Sequence, residues 1–198
     1  VVVTDTHGNT FAFVETPGTG EYHCDHFIPE LNAEYKATIT VAGQTYEATE
    51  ILKSVPVIDK IEQEKRDGFG GDFIQIKAFY TDNGDTEDYY LFRFDPSHKI
   101  LPSFQVSKDE FYQGNQIFGI YISEDVKKND IVRIELTGIS KRYYNYMEKI
   151  IAAAGSGGPF QSPGSTIRGN FVNVTNPDNY ALGYFAVCET VLETYQVQ

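Results

Sequence analysis

Apolar and polar residues alternate with a period of two along most of this chain. Tyr35, Ala37, Ile39 and Val41 alternate with Lys36, Thr38 and Thr40, so one set lines a core while the other meets solvent. Ala42-Gly43-Gln44 turns the chain into a partner strand over 45–52. Ahead of this hairpin, strands are predicted over 1–4, 10–15 and 21–27, parted by Asp5-Thr6-His7-Gly8-Asn9 and Thr16-Pro17-Gly18-Thr19-Gly20. Residues 1–56 thus read as a small immunoglobulin-like β-sandwich lacking the first strand or two of a full-sized unit, an expectation of truncation. Pro56 then biases Val55 to an extended conformation, so 54–59 reads as a stiff connector.

A second unit is predicted over 57–198. Its strands begin near Ile61 and continue over 73–80, 89–94, 116–122 and 130–139. The acidic stretch 81–88 reads as a hairpin turn that makes 89–94 the partner of 73–80. One helix interrupts the strands at about 140–154: Ser140 is its N-cap, and Tyr143, Met147, Ile150, Ile151 and Ala154 recur at 3, 4 and 7 spacings. Tyr144 and Tyr146 flank that face, and Gly155 is placed for a left-handed C-cap. Lys141 and Arg142 sit at the unfavourable end of the helix dipole, with ordinary solvation the expected remedy and a nearby acidic group the alternative. A Gly/Ser/Pro-rich loop over 155–169 leads to closing strands at 170–174 and 184–191. The expected fold class is all-β, with two β-sandwich units and one packed helix.

Composition narrows the partners more than the chemistry. The 198 residues carry 28 Asp and Glu against 16 Lys and Arg, a net charge of −12. No positive stripe is available to track phosphates, so nucleic acid is not an expected partner. No apolar run approaches the roughly 20 residues needed to span a bilayer. The chain begins at Val1 without a signal peptide, which reads as a removed or trimmed start. Cys24 and Cys188 are expected as two buried thiols rather than a bridge.

Candidate chemistry is sparse. In His23-Cys24-Asp25-His26 a strand would put His23 and Asp25 on one face and Cys24 and His26 on the other, too few for a closed zinc site. Asp82, Asp85 and Asp88, with Asn83 and Glu87 beside them, are the calcium candidates. Gly84 comes too early for an EF-hand and the bidentate Glu is missing, so a solvated turn over Asn83-Gly84 is favoured. Neither Gly155-Ser156-Gly157 nor Gly164-Ser165-Thr166 matches a nucleophile elbow, and Gly68-Phe69-Gly70-Gly71 lacks the ending of a phosphate loop. No enzyme and no cofactor are expected. The helix tyrosines are core before they are a sugar platform, which leaves Phe160 in the long loop as the candidate partner contact.

An ordered series of segments carries a resemblance. In the second half it comprises Thr81-Asp82-Asn83-Gly84-Asp85-Thr86-Glu87-Asp88-Tyr89-Tyr90, Asp109-Glu110-Phe111-Tyr112-Gln113-Gly114, and Lys127-Lys128-Asn129-Asp130-Ile131-Val132. Ile139-Ser140-Lys141-Arg142-Tyr143-Tyr144-Asn145-Tyr146, Gly169-Asn170-Phe171-Val172-Asn173 and Ala181-Leu182-Gly183-Tyr184-Phe185 complete it. The first half adds Gly20-Glu21-Tyr22 and Pro56-Val57-Ile58-Asp59. Together these resemble domain-of-unknown-function family 4249, cell-surface lipoproteins of Bacteroides-type bacteria. The resemblance implies a lipid-anchored N-terminal cysteine outside this chain, a place at the outer membrane facing the surface or periplasm, and neighbouring TonB-dependent transporters. It implies a non-catalytic accessory protein for transport or nutrient capture, with a transporter, glycan or peptide as partner. A structural or adhesive surface protein is the alternative, and a hydrolase the third. The family has no assigned reaction, so no catalytic residues carry over.

Overall fold

The structure, a computed structural model, describes residues 1–68, 71–84, 86–109, 114–155 and 166–198. The strands in chain order are β1 (Val2–Asp5), β2 (Thr10–Ala12), β3 (Val14–Glu15), β4 (Tyr22–His23), β5 (Glu34–Val41) and β6 (Gln44–Ile51). Then come β7 (Ile58–Gly68), β8 (Gly71–Thr81), β9 (Tyr89–Pro96), β10 (Ser103–Lys108), β11 (Gln116–Ser123) and β12 (Ile131–Ile139). Helix α1 (Lys141–Gly155) precedes β13 (Val172–Asn173) and β14 (Thr190–Gln196). All strand pairs are antiparallel, so the chain is all-β with one helix.

Two compact units result, but their boundary is not the expected one. The first comprises Val1–Lys53 with Ala152–Cys188, and the second Ser54–Ile151 with Glu189–Gln198. The front unit therefore draws on a distant stretch of chain that reads, by position, as part of the second unit. In the order β13-β6-β5-β1-β2, β13 lies on the free edge of β6 through Val172↔Glu47 and Asn173↔Tyr46. Asn170 fastens this return: its Nδ2 donates to the carbonyls of Thr49 (3.1 Å) and Phe185 (2.8 Å), and its Oδ1 accepts from Phe185 N (2.8 Å). Gly169 is required by contact, because a Cβ there would lie 1.6 Å from the Gly183 carbonyl oxygen. The inward faces supply Val3, Tyr35, Ala37, Leu52 and Val187, ringed by five phenylalanines. Phe27 meets Phe11, Phe13 and Tyr35 edge-on, with centroids 5.0–5.4 Å apart.

The expected strand over 21–27 shrinks to β4, and Cys24 to His26 form a turn closed by Phe27 N donating to the Cys24 carbonyl (3.3 Å). The strand expected at 184–191 begins only at Thr190. Phe185 and Val187 do face the core as their alternation implies, but the Asn170 side chain holds that backbone instead of a ladder.

In the second unit β11-β8-β7 and β10-β9-β12-β14 form two sheets. The hairpin expected between 73–80 and 89–94 does not form: β8 pairs with β7 and β11, whereas β9 pairs with β10 and β12. The two segments face each other across the core instead of lying side by side. Ile76, Ala78, Tyr80 and Tyr121 meet Tyr90, Phe92, Phe94, Val132, Ile134 and Leu136 there, and the Tyr80 and Tyr90 rings pack edge-on at 5.0 Å. β8 and β9 thus belong to different sheets. Gly119 makes room in this core, since a Cβ would fall 2.6 Å from the Phe92 ring.

Helix α1 starts as expected, with Ser140 Oγ accepting from Tyr143 N (3.1 Å). It buries Tyr144 and Met147, and Tyr144 packs on Tyr89 of β9 at 5.2 Å. Gly155 is the last helical residue and does not adopt a positive φ, so it is not the expected left-handed cap. Lys141 is exposed, as solvation would have it, and also has an acidic neighbour: its Nζ lies 3.1 Å from Glu87 Oε1 and 5.6 Å from the Tyr89 ring.

Candidate functional site

One end of the second unit gathers three carboxylates, each of which continues the inward parity of its strand. Asp82 lies two residues past Tyr80, Asp88 two before Tyr90, and Asp109 two past Ser107. The backbone interlocks there: Asp82 N donates to the Asn115 carbonyl and Asp109 N to the Asp88 carbonyl, both at 3.3 Å. Gly114 sits against Gly84, whose Cα is 3.6 Å from where a Gly114 Cβ would be. Two of the three are buried: Asp82 is 4% exposed and Asp109 0%.

Partners for these oxygens are few. The Tyr90 hydroxyl donates to Asp82 Oδ1 (2.7 Å) and the Tyr80 hydroxyl to Ser107 Oγ (3.0 Å). Among the described residues, Asp82 Oδ2 and both oxygens of Asp109 have no hydrogen-bond partner. Loss of solvent pushes the Asp109 carboxyl above its ordinary range, opposed in part by the nearby backbone N–H groups of Asp88 and Asp109, which fall short of hydrogen-bond geometry, and the negative charges of Asp82 and Asp88 push it further. Burial, and for Tyr90 the bond to Asp82, raises both phenols, so they remain hydrogen-bond donors at neutral pH.

Of the calcium candidates, Asp82 is therefore core and not a solvated turn residue. Asp88 is half-buried, with Oδ2 accepting from Thr86 Oγ1 (2.5 Å), and Asp85 lies outside the described residues. Asp109 is the member a within-loop search misses, because its strand β10 was not expected. Its signal is present nonetheless: Phe104 and Val106 alternate with Ser103, Gln105 and Ser107, and Asp109 extends the second set. Lys108, of opposite parity, acts on Glu87 and Tyr144 on the helix side of the sheet.

The His23-Cys24-Asp25-His26 stretch lines a concavity of about 500 Å³ in the first unit, together with Val14, Pro17 and others. Among the described residues, no group of three or more His, Cys, Asp or Glu side chains is arranged to hold a metal ion. Phe160 lies outside the described residues. Cys24 and Cys188 are both free and half-buried, and burial pushes the Cys188 thiol up to about 11.

An apolar surface occupies the outer face of β8 and β11. The registers Phe118↔Phe79 and Ile122↔Gln75 put these side chains opposite the core, where Phe118 is 42% and Ile122 53% exposed. Phe79 and Phe118 pack at 5.2 Å, and Lys60 and Lys77 lie 4.5 Å and 5.3 Å from their rings. A cleft of about 280 Å³ lined by Ser107, Lys108, Gln116, Ile117 and Phe118 borders the patch.

Residues 1–193 match the model of a protein family described as a domain of unknown function (DUF4249). No curated protein and no solved structure matches the chain.

Proposed function

The chain belongs to the DUF4249 family, and on that premise we propose that it is a non-catalytic accessory protein of the outer membrane. In this reading a lipid on a cysteine upstream of Val1 anchors it, and it assists a TonB-dependent transporter or captures that transporter's nutrient. The observation that carries the reading is the outer face of β8 and β11. Phe118 and Ile122 remain exposed on this sheet face, with Lys60 and Lys77 over the Phe79 and Phe118 rings. A contiguous apolar patch with a charged margin is the usual surface of a protein-binding site. The test is recovery of the full-length lipoprotein from its own membranes in mild detergent. A transporter is expected to co-isolate, and the double variant Phe118→Ser with Ile122→Ser is expected to lose it. Failure to co-isolate any transporter, together with no binding to glycans or peptides from the growth medium, overturns the proposal.

A further inference from the structure

We propose that the acidic end of the second unit binds a hard divalent cation, calcium by preference, between the carboxylates of Asp82 and Asp109. Three buried carboxylate oxygens at this end of the unit, Asp82 Oδ2, Asp109 Oδ1 and Asp109 Oδ2, have no hydrogen-bond donor among the described residues, and the charge of Asp82 acts on Asp109. A dry carboxylate must be neutralised by a proton, a cationic side chain or an ion. The adjacent lysine, Lys108, has the wrong parity and acts toward Glu87 and Tyr144. Asp88 adds a further negative charge on the Asp109 side. Tyr90 uses its hydroxyl on Asp82 Oδ1, which fixes the carboxyl and leaves Oδ2 free, as a donor behind a metal-ligating carboxylate does.

The donor chemistry selects the ion. Only oxygen is offered, which suits calcium or magnesium and not zinc. Two carboxylates cannot fill the six to eight positions of calcium, so main-chain carbonyls and water complete the shell. The carbonyls of Asn83, Asp88 and Asn115 lie in the backbone here, each accepting one N–H and keeping a second lone pair. Calcium tolerates such an irregular shell, whereas magnesium demands near-octahedral geometry and gives up its water reluctantly. The ion would join β8, β9 and β10, and so pin the two sheets at the point where the chain crosses between them.

The experiment uses the whole chain, stripped with chelator and titrated with calcium, magnesium and terbium. Calcium is expected to raise the melting temperature saturably. Terbium is expected to emit when tyrosine is excited, because Tyr80 and Tyr90 adjoin the site, and calcium is expected to quench that emission by competition. Asp109→Asn is expected to abolish both responses, and Tyr90→Phe to weaken calcium binding roughly 10–100-fold. Magnesium is expected to compete poorly. The wild-type titrations and Tyr90→Phe carry the test if Asp109→Asn does not fold. Absence of any calcium or terbium response in the wild type overturns the proposal and leaves Asp109 as a buried acid holding a proton. A response that survives Asp109→Asn overturns it equally, by assigning the ion to surface carboxylates.

Discussion

Replacing Asp109 by Asn should stabilise the protein at neutral pH when no divalent ion is present. Asp109 is wholly buried and neither of its oxygens has a hydrogen-bond partner among the described residues. A buried unsatisfied polar group costs about 1–3 kcal/mol, and a charged one more. Asn has the same shape and no charge, and its amide can donate to the free oxygen of Asp82. The gain should be about 2 kcal/mol, which for a chain of this size is roughly 4–8 °C in melting temperature. The pH dependence fixes the cause. The folded-state pKa of Asp109 lies above its unfolded value, so over the interval between the two the native state holds a proton that the unfolded state has lost. Stability must therefore fall as pH rises through that interval. Below the unfolded value of about 3.9 both states are protonated and the two proteins should differ little. From there upward the wild type should lose stability that Asp109→Asn keeps, until the gap levels off above the folded-state pKa. Thermal unfolding in chelator, at half-unit steps from pH 3.5 to 8, measures this directly. A variant less stable than the wild type at pH 8, or a gap that does not change with pH, would refute the reasoning, because it would mean the carboxylate is satisfied in the fold.

Other substitutions probe the packing. Gly119→Ala brings a methyl within 2.6 Å of the Phe92 ring and should cost about 1–3 kcal/mol by overpacking, read as a lower urea midpoint with unchanged slope. Asn170→Ala removes three hydrogen bonds to the backbone of Thr49 and Phe185. It should destabilise the first unit by about 1–3 kcal/mol and speed amide exchange at Phe185. The Cys188 thiol, pushed up to about 11 by burial, should resist alkylation by iodoacetamide at pH 8 until the chain is unfolded. Rapid labelling of Cys188 in the native protein at that pH would contradict its burial.

What could be read from the sequence was which side of each strand faces inward. The hairpin of β5 and β6 formed as the Tyr35 to Val41 alternation implies, and Ser140 caps the helix through Tyr143 N. In each case the deciding interaction spans a few residues. The return of 166–188 to the first unit was not legible, because it depends on a two-residue strand and on Asn170 reaching Thr49 across 121 positions. The Gly/Ser/Pro-rich run ahead of it has no periodicity that could announce a change of unit. The boundary therefore shows only in long-range contacts.

The acidic site was missed for a related reason, and its parity shows what would have found it. Alternation identifies a strand's inner face but not its neighbour, and a turn between two alternating runs reads as a hairpin unless something forbids it. What argues against a hairpin here is the burial pattern: Tyr80, Tyr90, Phe92 and Phe94 are all large and all buried, and two such faces are best covered by one another. Once β8 and β9 oppose each other across a core, the residues that continue their inner parity past the strand ends are carried into its rim. Those residues are Asp82 and Asp88, and by the same rule Asp109 beyond β10. Elsewhere along these strands the inward positions hold mostly aromatic, aliphatic or hydroxyl side chains, with the amide of Gln105 on β10 and Asp72, paired with Lys65, at the far end of β8. Carboxylates placed three times at that parity, at one end of one sandwich, are costly to fold around without a counter-charge. That cost ties the pH dependence of Asp109→Asn and the cation titration to a single structural cause.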